Sequence, residues 1–170
     1  MRSVRVSFCI FSLLLVPLGA FSQESRDLFS GVPESGQARY DALQERAVEA
    51  RAAGDYTAAG RLYEAMQELA PRSGEIFYNR GTIALEMNAF DRAVALFSRA
   101  EDNGFAEARL YYNRGNAYFH GENLSAAILA YERALEISPG DAEILNNLGR
   151  AELEDGKLNR AEQHLSAAAA

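Results

Sequence analysis

Two stretches of the chain, FYNRGTIAL at 77–85 and YYNRGNAYF at 111–119, share Tyr-Asn-Arg-Gly at a separation of 34 residues. A period of that size restricts the fold more than composition does. Each unit is too small to bury its own apolar face and must stack on its copies. Four segments align without a gap: 40–73, 74–107, 108–141 and a shortened 142–170. The fourth position of the repeat reads Leu43, Phe77, Tyr111 and Leu145, and the eighth Ala47, Gly81, Gly115 and Gly149. The twentieth reads Ala59, Ala93, Ala127 and Ala161, and the twenty-fourth Tyr63, Phe97, Tyr131 and Leu165.

Within each repeat the spacing predicts two amphipathic helices, so the chain is expected to be all-α. In the third, Tyr111, Gly115 and Tyr118 share one stripe, and Leu124, Ala127, Ile128, Tyr131 and Leu135 form the matching one. Gly121 to Asn123 is expected to turn the chain, and Pro139-Gly140 to stop the second helix. A Gly inside a helix costs about 1 kcal/mol relative to Ala. Its return at one position implies a compensating contact. The expected contact is a close approach of two helix backbones, with the Ala of the second helix at the same junction and the aromatic residues beside it.

Outside the repeats, Arg2 and Arg5 precede an apolar run from Ser7 to Leu18, and Ala20-Phe21-Ser22 offers small residues before Gln23. That is the layout of a signal peptide over 1–22, cleaved after Ser22. It predicts a periplasmic or secreted protein without stable membrane insertion after cleavage. Residues 23–39 mix Ser, Gly, Pro and charges and read as a linker before the repeat domain at 40–170. Cys9 would leave with the signal peptide, which excludes disulfides and thiol chemistry in the mature chain. Cleavage also removes two cations, leaving 15 basic against 24 acidic residues, so the net charge moves from −7 to −9. Such a field repels a phosphate backbone, and nucleic acid is not expected as a partner.

Chemistry needs a nucleophile, an acid–base pair or a metal set. The two histidines, His120 and His164, fall on different repeats, and the carboxylates have ordinary helix-surface spacing. Neither clustered metal ligands nor a phosphate-cradling loop is present. The expectation is no enzyme, no metal and no cofactor.

The repeat columns resemble the tetratricopeptide repeat over residues 40–170, and the third repeat matches best through Tyr111, Gly115, Tyr118, Ala127, Tyr131, Ala134 and Pro139. Departures include Arg46, Arg80 and Arg114 before the Gly column, Ala50, Ala84 and Glu152 in the Tyr118 column, and Phe105 in place of Pro. The resemblance implies a right-handed superhelical solenoid whose inner surface is lined by first helices. Carried over by position, that surface includes Tyr78, Asn79, Thr82, Arg109, Tyr112, Asn113, Asn116, Phe119 and Asn147. It would bind a protein or peptide partner. Independently, 75, 78, 79, 82 and 86 fall on one helical stripe opposite Phe77 and Gly81.

Asn79, Asn113 and Asn147 form a ladder, although Asn is a poor helix former. Such amides serve either the backbone of an extended peptide or the neighbouring repeat. The carboxylate clamp that chaperone adaptors of this family carry is absent: its positions here hold Gln44, Val48, Asn79, Arg109 and Asn113. The arginines at 46, 80 and 114 read as buried stems whose heads pair with a nearby carboxylate.

The run from Tyr111 to Leu148 also resembles the repeat segment of bacterial aerotolerance (Bat) operon proteins, which implies a cell-envelope role. Two alternatives to a groove-binding scaffold remain. One is a self-associating structural module, for which the apolar residues of 158–170 are the expected contact; the other is a Bat-like envelope-assembly accessory factor.

Overall fold

The structure, a computed structural model, describes residues 27–169. The signal peptide read at 1–22 lies outside the described residues. Asp27 to Gly31 belong to a separate N-terminal unit and form a single turn, closed by the Ser30 amide on the Asp27 carbonyl at 3.2 Å. From Val32 onward the described residues form one compact unit of paired helices.

The first pair is α1 (Gly36–Ala52) and α2 (Tyr56–Leu69). Then follow α3 (Gly74–Glu86) and α4 (Phe90–Asp102), α5 (Ala108–His120) and α6 (Leu124–Ile137), α7 (Ala142–Glu154) and α8 (Leu158–Ala168). Helices α3, α5 and α7 begin 34 residues apart, as the sequence period requires. Helix α1 starts inside the stretch read as linker, at Gly36 rather than Tyr40. Local bonds account for the extra turn: Gln37 Nε2 donates to Asp41 Oδ1 at 2.7 Å, and Arg39 Nη1 reaches back to the Pro33 carbonyl at 2.9 Å.

The turn inside each repeat has one construction. Its second residue has positive φ: Gly54 at 77°, Asn88 at 57°, Glu122 at 62° and Gly156 at 78°. Where an Asp or Asn follows, it caps the second helix. Asp55 accepts from the Ala58 amide at 2.9 Å, and Asn123 from the Ala126 amide at 3.2 Å. Helices α2 and α6 end just before Pro71 and Pro139, where a proline lacks the amide needed to continue.

Every helix packs on its chain neighbours, and first helices also touch across repeats, α3 on α5 and α5 on α7; α1 and α3 approach less closely. A continuous core runs through the last three repeats, from Phe77 and Phe97 through Tyr111 and Tyr131 to Leu148 and Ala151. The glycine column sits in it, for a reason that differs from the sequence expectation. A Cβ on Gly81 would lie 2.7 Å from the Phe97 ring, one on Gly115 2.5 Å from the Tyr131 ring, and one on Gly149 2.7 Å from Leu165 Cγ. The nearest neighbour is thus the side chain of the twenty-fourth position, and only at Gly149 does a backbone atom of the second helix, the Ala161 carbonyl at 3.3 Å, also come close. In the second and third repeats the glycine is a socket for a ring, and in the fourth for a leucine.

The junctions between repeats confirm the reading of the arginine column. Arg80, its stem largely buried, bonds Gln67 and pairs with Glu64 at 2.8 Å. Arg114 pairs with Glu101 at 2.6 Å. Arg46 is also engaged. At the third junction the two equivalent positions are Leu148 and Leu135, both part of the apolar core. A charged pair has been exchanged as a unit for an apolar one.

Candidate functional site

The stripe expected to face a partner is set on α3, α5 and α7, and part of it is already occupied by the protein itself. Tyr78 is 8% exposed and Thr82 6% exposed. Tyr78 stacks on Phe105 with ring centroids 4.7 Å apart and lies 5.9 Å from Phe97. Arg109 lies 5.0 Å from both the Tyr78 and the Phe105 ring centroids, and its Nε donates to Glu107 at 2.7 Å. Phe105, which stands where a proline is usual, therefore covers Tyr78. The Thr82 hydroxyl donates to the Tyr78 carbonyl one turn earlier, at 3.1 Å. These two residues contribute packing rather than the surface expected of them.

The asparagine ladder resolves unevenly between its two readings. Asn113 Nδ2 donates to the Tyr78 hydroxyl at 2.9 Å, and Asn147 Nδ2 donates to the Tyr112 hydroxyl at 2.9 Å. Each bond spans 35 residues and ties one repeat to the next. Asn147 Nδ2 also reaches Asn116 Oδ1 at 3.1 Å, which accepts from the Tyr131 hydroxyl at 2.7 Å. The Tyr112 hydroxyl donates to Glu143 Oε1 at 2.6 Å. Burial and this carboxylate together push the Tyr112 hydroxyl up to about 12. The result is one network over α5, α6 and α7, in which polar atoms hold each other in a fixed geometry. Asn79 makes no such bond among the described residues, because Gln44 stands where Tyr78 and Tyr112 stand in later repeats.

The amide oxygens of Asn113 and Asn147 accept no side-chain bond within the described part of the protein, and remain available as acceptors. Around them, exposed charges are unequal. Asp41, Glu45, Glu75, Glu86, Glu143 and Glu154 oppose Arg51, Arg109 and Arg150. Arg150 lies over the Phe119 ring at 5.2 Å, and His120 stacks on Phe90 at 5.7 Å. Between Asn116, Phe119, Tyr131, Asn147 and Arg150 is a niche of about 20 Å³, room for roughly one water. The stripe is a shallow acidic surface with fixed amides, suited to a chain lying along it.

Sequence models of the tetratricopeptide repeat match residues 45–104, 78–142 and 130–163. The chain belongs to the tetratricopeptide repeat family. No curated protein matches it. Among solved structures it is similar to MamA of Desulfovibrio magneticus RS-1, with 22% identity and a TM-score of 0.71 over 76% of this chain and 73% of that one. It is similar to YrrB, described as a tetratricopeptide repeat protein with an unusual peptide-binding site. There the identity is 21% and the TM-score 0.67, over 74% and 65% of the two chains. A third is the first repeat domain of Spaghetti bound to the HSP90 peptide SRMEEVD, at 23% identity and a TM-score of 0.67, over 71% and 96%. These likenesses establish the fold, an all-α right-handed tetratricopeptide solenoid.

One polar group of this tetratricopeptide array was not anticipated. Glu152 stands where Tyr118 stands in the third repeat, and it is 0% exposed. His164 Nδ1 lies 2.6 Å from its Oε2, and Arg160 Nε 2.8 Å from its Oε1. The Arg160 contact is an ion pair lying off the hydrogen-bonding line, so Oε1 lacks a well-directed donor. Arg160 also bonds Glu132 of α6. The signal was a carboxylate in an otherwise uncharged column, with Arg160 and His164 one turn apart on the next helix. The group joins α6, α7 and α8. At the C-terminal end, Leu165 turns inward onto Gly149 and Ala161 is buried, while Leu153 and Leu158 are exposed. Among the described residues no three metal-ligand side chains converge, and no helix is long and apolar enough to cross a membrane.

Proposed function

We propose that the protein is an exported, non-catalytic scaffold that holds an extended, basic segment of a partner protein along its inner surface, in a cell-envelope process. The observation that carries this reading is the acidic stripe with the amide oxygens of Asn113 and Asn147 left open between tied repeats. Fixed acceptors meet backbone amides of any sequence, and the excess of carboxylates selects lysine and arginine side chains. The peptide seen on Spaghetti is itself acidic, and a stripe of this charge would repel it. Export is supported by the basic start and apolar run of residues 1–22, and an envelope setting by the Bat-like third repeat.

Titration calorimetry with extended peptides of one length, rich in either Lys or Glu, tests the groove. The basic peptide binds and the acidic one does not, and the pair Glu75→Lys, Glu86→Lys weakens the first. Preference for the acidic peptide sinks the reading. Intact-mass measurement of protein from the envelope fraction tests cleavage after Ser22.

A second reading is self-association through α8 and the adjoining end of α7, favoured by Leu158 at 62% and Leu153 at 51% exposure. Sedimentation of the wild type against Leu158→Glu decides it. Equal masses rule it out.

A further inference from the structure

The niche between α5, α6 and α7 differs in chemistry from the rest of the inner stripe. Its most buried lining residue is Tyr131, whose hydroxyl donates to Asn116 Oδ1. That oxygen also takes Asn147 Nδ2, and the Tyr112 hydroxyl, which receives the same amide, donates onward to Glu143. The network therefore consumes its acceptors from within. What the niche still offers is chiefly donors, on Arg150 and His120, beside the open Asn147 Oδ1.

Both donors are held by one ring. The Arg150 guanidinium lies over Phe119 at 5.2 Å from its centroid. The His120 ring meets the same Phe119 edge-on at 5.6 Å and 84°, and stacks on Phe90 at 5.7 Å. A ring face fixes a guanidinium while leaving its hydrogen-bond donors for another group. Arg80, Arg92, Arg109, Arg114, Arg133 and Arg160 each pair with a carboxylate. Among the described residues Arg150 pairs with none, although exposed Glu154 follows it by one turn and exposed Glu122 lies two residues after His120. A cation is thus held ready on the inner surface without an anion.

We propose that this niche is a register-setting subsite of the groove, taking the side-chain carboxylate of one Asp or Glu within the otherwise basic bound segment; the inference rests on the groove reading above. One carboxylate oxygen fills the niche, whose volume of about 20 Å³ admits a single atom of that size. The Arg150 fork takes the carboxylate through charge-assisted bonds, with the His120 N–H beside it. Asn147 Oδ1 accepts the backbone amide of the same residue, so main chain and side chain are read together. Glu75 and Glu86 on α3 meet the basic residues. A segment with its lysines at one end and its single acid at the other then lies along the stripe in one direction only.

The test is titration calorimetry of the full chain with two amidated Lys-rich peptides of one length, carrying either Glu or Gln at a single internal position. The Glu peptide is expected to bind about tenfold tighter than the Gln peptide. Arg150→Gln removes that preference in a protein whose circular dichroism is intact. Arg99→Gln, which takes the same charge from the Phe77 ring of another helix face, keeps it. Equal binding of the two peptides, or a preference that survives Arg150→Gln, overturns the proposal while Lys-peptide binding still supports the groove. A Gln peptide with a free C-terminal carboxylate that binds as tightly as the Glu peptide overturns the assignment to a side chain. A separate arm follows the side-chain amide resonances of Asn116 and Asn147 with N-acetylglutamic acid α-amide. If no Lys-rich peptide binds but these resonances shift, the groove reading fails and the carboxylate site holds; silence in both arms overturns both.

Discussion

Gly115→Ala adds a single methyl group, and its expected effect follows from the ring beside it. An ideal Cβ there lies 2.5, 2.6 and 3.0 Å from Cε1, Cδ1 and Cζ of Tyr131. Carbon atoms prefer roughly 3.5–4.0 Å, so the ring must withdraw by about 1 Å. Overpacking of this kind costs about 1–3 kcal/mol. Withdrawal also pulls the Tyr131 hydroxyl off Asn116 Oδ1, now 2.7 Å away, at about 1 kcal/mol. Replacing a helical glycine by alanine returns about 1 kcal/mol. The last two cancel, and a net loss of about 1–3 kcal/mol remains. Gly60→Ala is the matched control, because its Cβ meets Ile83 Cγ2 at 3.7 Å, an ordinary contact. That variant gains about 1 kcal/mol. With a urea m-value of about 2 kcal/mol/M, the two midpoints separate by about 1–2 M, read by circular dichroism. Coincident midpoints, or a Gly115→Ala variant at least as stable as the wild type, would refute the socket.

Glu122 holds φ at 62° with a full side chain, so Glu122→Gly is expected to raise stability by about 1 kcal/mol in the same assay. Burial alone would raise the Glu101 carboxyl, but bonds from Tyr111 and Arg114 outweigh it and hold it below the usual range. The stabilisation is therefore present above the unfolded value near pH 4 and is lost as pH falls through the folded one; Glu101→Gln should flatten that acid limb of the midpoint–pH curve. Tyr112 behaves in the opposite sense. Its hydroxyl, pushed up to about 12, contributes stability that is complete below about pH 10 and declines from there through the folded value. Tyr112→Phe should reduce this alkaline decline, and an unchanged slope would show that another group causes it.

Periodicity carried the helices into view because the repeat starts recur without insertion, and α3, α5 and α7 begin where the columns place them. Packing was legible in outline. Three glycines in one column announced a tight site, but not that the side chain sixteen positions later fills it, since that residue reads equally as a neighbour. The polar residues were less legible. An asparagine that serves a peptide and one that serves the adjacent repeat are the same letter, and the deciding hydroxyl lies 35 residues away. Tyr78 looked exposed because its stripe does, and its burial depends on Phe105, which replaced an expected proline. Glu152 looked like a departure from pattern; its partners on α8 give it a place.

The ties between Asn113 and Tyr78, and between Asn147 and Tyr112, fix the pitch of the last three repeats. Among the described residues the first repeat lacks such a tie, and its α1 approaches α3 less closely than α3 approaches α5. The inner-face ties are therefore concentrated in three repeats, while the first joint is held on its other side by Arg80 and Arg92 around Glu64. A partner spanning all four would meet a template of fixed pitch for most of its length and a more loosely tied inner face at one end.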